Sequence, residues 1–281
     1  TFVDEKRNRA YAVKCGWLEV GGSPYLASLR MNQSQSWEEF REACSYSHIP
    51  GENMVWADKD GTIGWQAVGI APIRNTHSGL VPVLGDGSYE WDGYLPIKEK
   101  PHVVNPSSGF FASANQNVTP ASYKHWNAIG FSWSDPYRGD RVSDVLSRNS
   151  SHKFTMQEMI DLQVDYHSLP SEKLIKMINQ TSLDIAFKKY FDRLLTWNNK
   201  LTTASVEAMI YVNWERTIIR EFHKKYVPES VQGLLTLQLF KIIENLNKLP
   251  EKQRANFLKN TFVTSVKELE AKFGKDLKNW I

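Results

Sequence analysis

The chain changes its hydrophobic pattern part-way along. In its first half, short apolar or aromatic runs alternate with turn residues: Ala10-Tyr11-Ala12-Val13, Met54-Val55-Trp56-Ala57, Ile63-Gly64-Trp65-Gln66-Ala67-Val68 and Leu80-Val81-Pro82-Val83-Leu84. Runs of this length, bounded by Gly, Pro and Asp, predict β-strands. Asp58-Lys59-Asp60-Gly61 joins the second run to the third. An Asp side chain bonds its own backbone and Gly tolerates positive φ, so a hairpin over 53–69 is predicted. One helix interrupts the strands at about 36–46, where Ser36 can cap the amide of Glu39 while Glu39 reaches back, ahead of Phe40, Ala43 and Cys44. Glu38, Glu39 and Glu42 then form its solvated face. After Asp135-Pro136 the period turns helical, first in Arg141–Leu146, then behind a second capping box, Thr155 with Glu158, that heads a run with Met156, Met159, Ile160 and Val164. Ala255, Leu258, Phe262, Val266, Leu269 and Phe273 recur at steps of three and four, one stripe of a long amphipathic helix that Gly274 ends.

Glycine and proline sharpen the division: residues 1–150 hold 14 of the 16 glycines and 9 of the 12 prolines, so the backbone turns often before residue 150 and seldom after it. Charge follows, net −2 before residue 151 and +5 after it. An α+β chain is predicted, β-rich over 1–150 and helical over 151–281. A content of 41% hydrophobic and 23% charged residues in 281, with no long apolar run, excludes a disordered tail and a membrane span. The overall charge of +3 carries no block of like sign, so nucleic acid is not an indicated partner. Cys15 and Cys44 are too few for a disulfide scaffold. Thr1–Arg7 lacks the organisation of a signal peptide; if the protein is exported, its signal lies outside this chain.

Self-contained catalytic signatures are missing. No Gly-rich loop ends in Gly-Lys-Ser/Thr, Gly85-Asp86-Gly87 lacks the third glycine of a dinucleotide fingerprint, and no Gly-x-Ser-x-Gly elbow occurs. The seven histidines never fall at metal-ligand spacing. Asp86, Glu90 and Asp92 lie in a turn-rich stretch, where acids more often cap amides than catalyse.

Three segments in order resemble the penicillin acylase family of N-terminal nucleophile hydrolases. The first is Asn53-Met54-Val55-Trp56-Ala57-Asp58-Lys59-Asp60-Gly61-Thr62-Ile63-Gly64-Trp65, followed by Gly69 and Pro72-Ile73-Arg74; the second is Val104-Asn105-Pro106-Ser107-Ser108-Gly109-Phe110-Phe111-Ala112-Ser113-Ala114-Asn115; the third is Asp135-Pro136-Tyr137-Arg138-Gly139-Asp140-Arg141-Val142. The resemblance implies part of an αββα two-sheet core plus a helical subdomain. It also implies hydrolysis of linear acyl amides, such as penicillins or acyl homoserine lactones, by a terminal Ser whose own α-amino group is the base. It places an oxyanion donor on Asn115, on the strand that ends in Ala-Asn, because an amide donates without carrying charge. It places an orienting guanidinium on Arg141, whose alternative reading is a helix-start Arg bonded to Asp140 or Asp144. A calcium ion is implied at the Gly79 carbonyl and Asn127, weakened there by the neutral amide. Trp126 and Trp133 beside it are read as core aromatics.

In the family the catalytic chain begins with its nucleophile, followed by a long stretch before anything resembling Ala10–Val13. The expectation is therefore an internal piece of a catalytic β chain, inert alone, whose partners are an acyl-amide substrate and the remaining segments of its precursor: the α chain and the N-terminal part of the β chain. Periplasm or secretion follows by resemblance only. Thr1 is an alternative nucleophile, disfavoured because Phe2-Val3-Asp4-Glu5 lacks the small residues expected behind one. A further alternative is a non-catalytic carbohydrate- or peptide-binding module using Tyr89, Trp91 and Tyr94.

Overall fold

The computed structural model describes residues 2–23, 25–148, 151–178 and 183–280. The chain divides into two compact units, Thr1–Ser134 with Leu146–Ser150, and Asp135–Val145 with Ser151–Ile281.

In the first unit, β1 (Phe2–Asp4) and β2 (Arg9–Tyr11) form a two-stranded antiparallel ribbon. Two helices follow, α1 (Ala27–Met31) and α2 (Trp37–Cys44). As the sequence predicts, the Ser36 hydroxyl accepts the Glu39 amide at 3.2 Å. The Glu39 carboxylate reaches one residue further back than a capping box requires, accepting the amide of Gln35 at 2.7 Å. Glu38, Glu39 and Glu42 are exposed, and Trp37, Phe40, Ala43 and Cys44 are buried.

The predicted hairpin forms from β3 (Asn53–Ala57) and β4 (Ile63–Ala67), and β5 (His102–Val104) adds to β4, giving the antiparallel order β3-β4-β5. Asp58 closes the turn. Its Oδ1 accepts the amides of Asp60 (3.0 Å) and Thr62 (2.9 Å), and its Oδ2 accepts the Trp56 indole N–H (3.2 Å). Helix α2 lies on this sheet so closely that a Cβ on Gly64 would stand 2.4 Å from the Trp37 ring. Glycine is required there for approach rather than for φ. Ala27, Met31, Trp37, Phe40, Val68 and Ile97 make the core beneath, joined by Met54 and Trp56.

One sequence expectation fails here and a second is met only in part. Leu80–Leu84 is irregular, and Leu80, Val81, Val83 and Leu84 are exposed, so apolar content alone did not make a strand; Pro82 removes the donor a ladder needs. Ala10–Val13 pairs only as far as Tyr11.

The second unit is helical: α3 (Tyr137–Ser147), α4 (Met156–Gln163), α5 (Leu169–Ile178), α6 (Ile185–Thr196), α7 (Val206–Tyr226), α8 (Leu239–Lys248) and α9 (Glu251–Phe273). Trp214 of α7 meets Phe262 of α9 edge-on at 5.4 Å and donates its N–H to Thr261 at 3.2 Å, one of few polar atoms in a core of Leu, Ile, Phe and Tyr. The α9 stripe buries Leu258, Phe262, Val266 and Leu269, and Gly274 ends it at φ 79°, its amide on the Glu270 carbonyl. Trp280 then returns to stack on Tyr190 at 5.3 Å and donates to the Gly274 carbonyl at 2.9 Å. The Thr155–Glu158 capping box forms in both directions, yet Met156, Met159, Ile160 and Val164 are exposed: the period marked a helix without burying its face. Among the described residues, no helix is long and apolar enough to cross a membrane.

Candidate functional site

The stretch after β5 reaches Asn115 through contacts made with the hairpin. Asn105 ties the end of β5 to β4, its Oδ1 accepting the Ile63 amide at 3.0 Å. Phe111 stacks on Trp65 at 4.3 Å, and Asn53 links to both sides, accepting the Trp65 N–H at 2.8 Å and reaching the Ser113 hydroxyl at 3.4 Å. The chain then bends. Asn115 stands at φ 71°, a left-handed conformation that Asn tolerates better than most residues, and its carbonyl accepts the Ser134 amide at 2.9 Å. The Gln116 side chain accepts the Ala114 amide at 2.6 Å and braces the same bend. The expectation of Asn115 on a strand is thus corrected: β5 stops at Val104, and Asn115 occupies an exposed bend held at its carbonyl.

Arg141 lies on α3 with its side chain 16% exposed. Its Nε (2.8 Å) and Nη2 (2.6 Å) converge on Oδ2 of Asp165, while Nη1 is 3.7 Å from Asp144. The other Asp165 oxygen accepts the His167 amide at 3.0 Å. Burial works to raise the Asp165 pKa, but the bonds from Arg141 and from the His167 amide outweigh it and hold the carboxyl below its ordinary range. The principal partner of Arg141 is therefore Asp165, which the sequence reading did not single out, rather than Asp140. The available signal was an Asp directly behind the end of α4, where acids commonly turn to bond the backbone two residues on.

Gly79 and Asn127 are brought to one segment, Arg74–Asn75. The Asn127 carbonyl accepts the Arg74 amide at 3.0 Å and its side chain donates to Asn75 at 2.6 Å, which in turn donates to Asp92 at 2.8 Å. The Arg74 Nε would stand 3.0 Å from a Cβ on Gly79. Calcium prefers several anionic oxygens. Here a guanidinium occupies the neighbourhood and Asp92 is the carboxylate in the chain of bonds, so these residues do not by themselves fit the ion. Among the described residues, no group of three or more His, Cys, Asp or Glu side chains could hold a metal. Trp126 and Trp133 are half-buried and meet edge-on at 6.1 Å. Thr1, the alternative nucleophile, lies outside the described residues.

The aromatics proposed for a binding module are engaged with their neighbours. Trp91 meets Tyr94 edge-on at 6.0 Å with Lys14 Nζ over its ring at 4.7 Å, and the Tyr94 hydroxyl donates to Glu19 at 2.6 Å. Tyr89 packs against His77.

The family profile described as penicillin amidase matches residues 2–281. The chain belongs to the penicillin amidase family. The acyl-homoserine lactone acylase QuiP of Pseudomonas fluorescens (strain Pf-5) is 30% identical over 217 residues, 71% of this chain and 26% of that protein. The penicillin G acylase of Escherichia coli is 29% identical over 144 residues, 51% of this chain and 16% of that protein. The chain thus spans about a quarter or less of the length of these curated relatives. A thermostable penicillin G acylase from Alcaligenes faecalis superposes with a TM-score of 0.80 at 20% identity, over 99% of this chain and 57% of that one. Likeness at that identity bears on the fold alone: the chain has the α+β architecture expected from its motifs and shared with that enzyme, here with two small sheets and a set of helices.

Proposed function

We propose that this chain is part of an amidohydrolase that cleaves linear acyl amides through an N-terminal Ser nucleophile supplied by a segment outside it. The observation that carries this reading is the family match across residues 2–281. The Ser hydroxyl attacks the substrate carbonyl as its proton passes to the α-amino group of the same residue; the carbon–nitrogen bond breaks, the amine leaves with that proton, and water then hydrolyses the acyl ester. Asn115 is the oxyanion donor of this reading, its amide offered from a bend whose backbone is held by Ser134. Arg141 is the orienting cation, kept in one rotamer by Asp165. The relatives named for acyl-homoserine lactones and for penicillin G share the cleavage of an acyl group from an amine, and an amide of that class is the proposed substrate. The remaining segments of the precursor are the proposed partners, and the periplasm or the cell exterior the proposed location.

The test is to express the full precursor and follow amine release from phenylacetyl amides and from N-acyl homoserine lactones. The 281-residue chain alone should be inactive. Asn115→Ala in the processed enzyme should lower kcat about 10²- to 10³-fold, the usual cost of one oxyanion donor, and lower the melting temperature slightly because Ala is strained at φ 71°, whereas Asn115→Gly should show the same kcat loss without that strain. Normal turnover in either variant would sink the assigned role.

A further inference from the structure

A cleft of about 490 Å³ in the first unit is lined by Arg41 of α2, Lys98 and His102 ahead of and within β5, and Lys124 and His125 further on. Glu99 is the one acid on its wall, and Ser122 adds a hydroxyl. Two of the ammonium groups here, Lys98 on the wall and Lys100 beside it, are already engaged. Glu42 pairs with Lys98 at 2.8 Å, and the Lys100 ammonium is turned onto the carbonyls of Val68 (2.6 Å) and Gly69 (2.9 Å). Tyr123 gives its hydroxyl proton to the Glu99 carbonyl at 3.0 Å.

Arg41 decides what the cleft can do. Its Nε donates to Gln66 Oε1 at 2.9 Å and its Nη2 to the Lys98 carbonyl. Gln66 is fully buried and spends its own N–H groups on the carbonyls of Ala67 (3.0 Å) and Ile97 (2.9 Å), so its oxygen must face the guanidinium. The cation is therefore fixed in place by neutral partners. A half-buried guanidinium is ordinarily neutralised by a carboxylate; among the described residues no carboxylate bonds this one, Glu38 acting on it only through space, and it shares the wall with Lys124 and with a Lys98 already paired to Glu42. His102 fits the same pattern. Its Nδ1 stands 2.8 Å from the Lys100 carbonyl and so carries the proton, which leaves Nε2 to become a donor only when the ring is charged. His125 stands 3.8 Å from Glu99.

We propose that this cleft is a binding site for a small tetrahedral dianion of the phosphate or sulfate type, held by the fixed Arg41 guanidinium with Lys124 and the Ser122 hydroxyl. The groups that line the wall come from α2, from β5 and from 122–125, and donors on separate segments suit a tetrahedral acceptor better than a flat carboxylate. The proposal does not rest on the amidohydrolase reading.

Sulfate is the probe, because its charge does not change across the neutral pH range. The 281-residue protein, titrated with sulfate at low ionic strength, should show one saturable site by calorimetry, with the His102 and His125 side-chain NMR signals moving together and the other histidines still. Binding should weaken with added sodium chloride. Lys124→Ala, at an exposed residue, should weaken it roughly five- to tenfold, the loss of one charge-assisted contact. Absence of a saturable site, indifference to Lys124→Ala, or glutarate binding as tightly as sulfate would each overturn the proposal.

Discussion

The carboxylate of Asp135 accepts the backbone amide of Phe240, 105 residues away in sequence, at 3.1 Å. Its other oxygen accepts the Tyr137 amide at 3.0 Å. One side chain thus caps the first turns of both α3 and α8, meeting donors that a helix cannot satisfy internally. Asp135→Ala should lower the stability of the helical unit by about 2 kcal/mol, two caps at about 1 kcal/mol each. Asp135→Asn, which keeps one acceptor, should lose about half as much. Urea unfolding followed by circular dichroism measures both.

The contact between Gly64 and Trp37 predicts a mutant and its repair. Gly64→Ala places a methyl 2.4 Å from the indole, which must move. The expected loss is about 1–3 kcal/mol, as for overpacked cores. Trp37→Leu on the same background should recover part of it, whereas two independent lesions would add. A double-mutant cycle on denaturation midpoints distinguishes these outcomes.

Glu215 is a half-buried carboxylate beside Tyr211, whose hydroxyl donates to it. Burial pushes its pKa up, and Asp135 adds to that, against the Tyr211 bond and Arg216. A carboxyl raised in the folded state favours folding while protonated, and that contribution fades as pH rises from its ordinary value of 4.5 through the folded pKa. Glu215→Gln keeps an acceptor for Tyr211 and removes the charge. The variant should match the wild type near pH 4 and melt higher at pH 8; equal melting temperatures at both would contradict the assignment.

The pair of Arg141 and Asp165 behaves in the opposite sense. The Asp165 carboxyl is held below its ordinary value of 3.8, so the stability it lends is complete above that value and is lost as pH falls through the folded pKa. Asp165→Ala leaves a guanidinium 16% exposed without its main partner, at an expected cost of about 3 kcal/mol at pH 7. The difference from wild type should shrink steadily in melts carried from pH 5 to pH 2.

What the sequence made legible was local. The 53–69 hairpin, the Ser36 and Thr155 caps and the Gly274 stop each depend on residues within a few positions of one another, and each formed. Leu80–Leu84 misled because an apolar run says nothing about whether a neighbouring strand exists to pair with it. The Met156–Val164 stripe gave the helix and missed its exposure for the same reason. Of the candidate site, the backbone around Asn115 was half visible: its motif was readable, its left-handed bend was not. Asp165 and the Arg41–Gln66 pair were out of reach, since 24 and 25 residues separate partners that no periodicity links.

The Asp58 turn also bears on the order in which the sheet assembles. Three donors within four residues of Asp58 converge on one carboxylate, so the β3–β4 register is set by a loop that closes at little entropic cost, and hairpins of this kind form in about 1–10 μs. Strand β5 joins through Val104 opposite Gly64, across a much longer loop. A pulse-labelling experiment should therefore find the Thr62 amide protected before those of the β4–β5 pairing, with the hairpin serving as the template on which the slower, distant strand is laid.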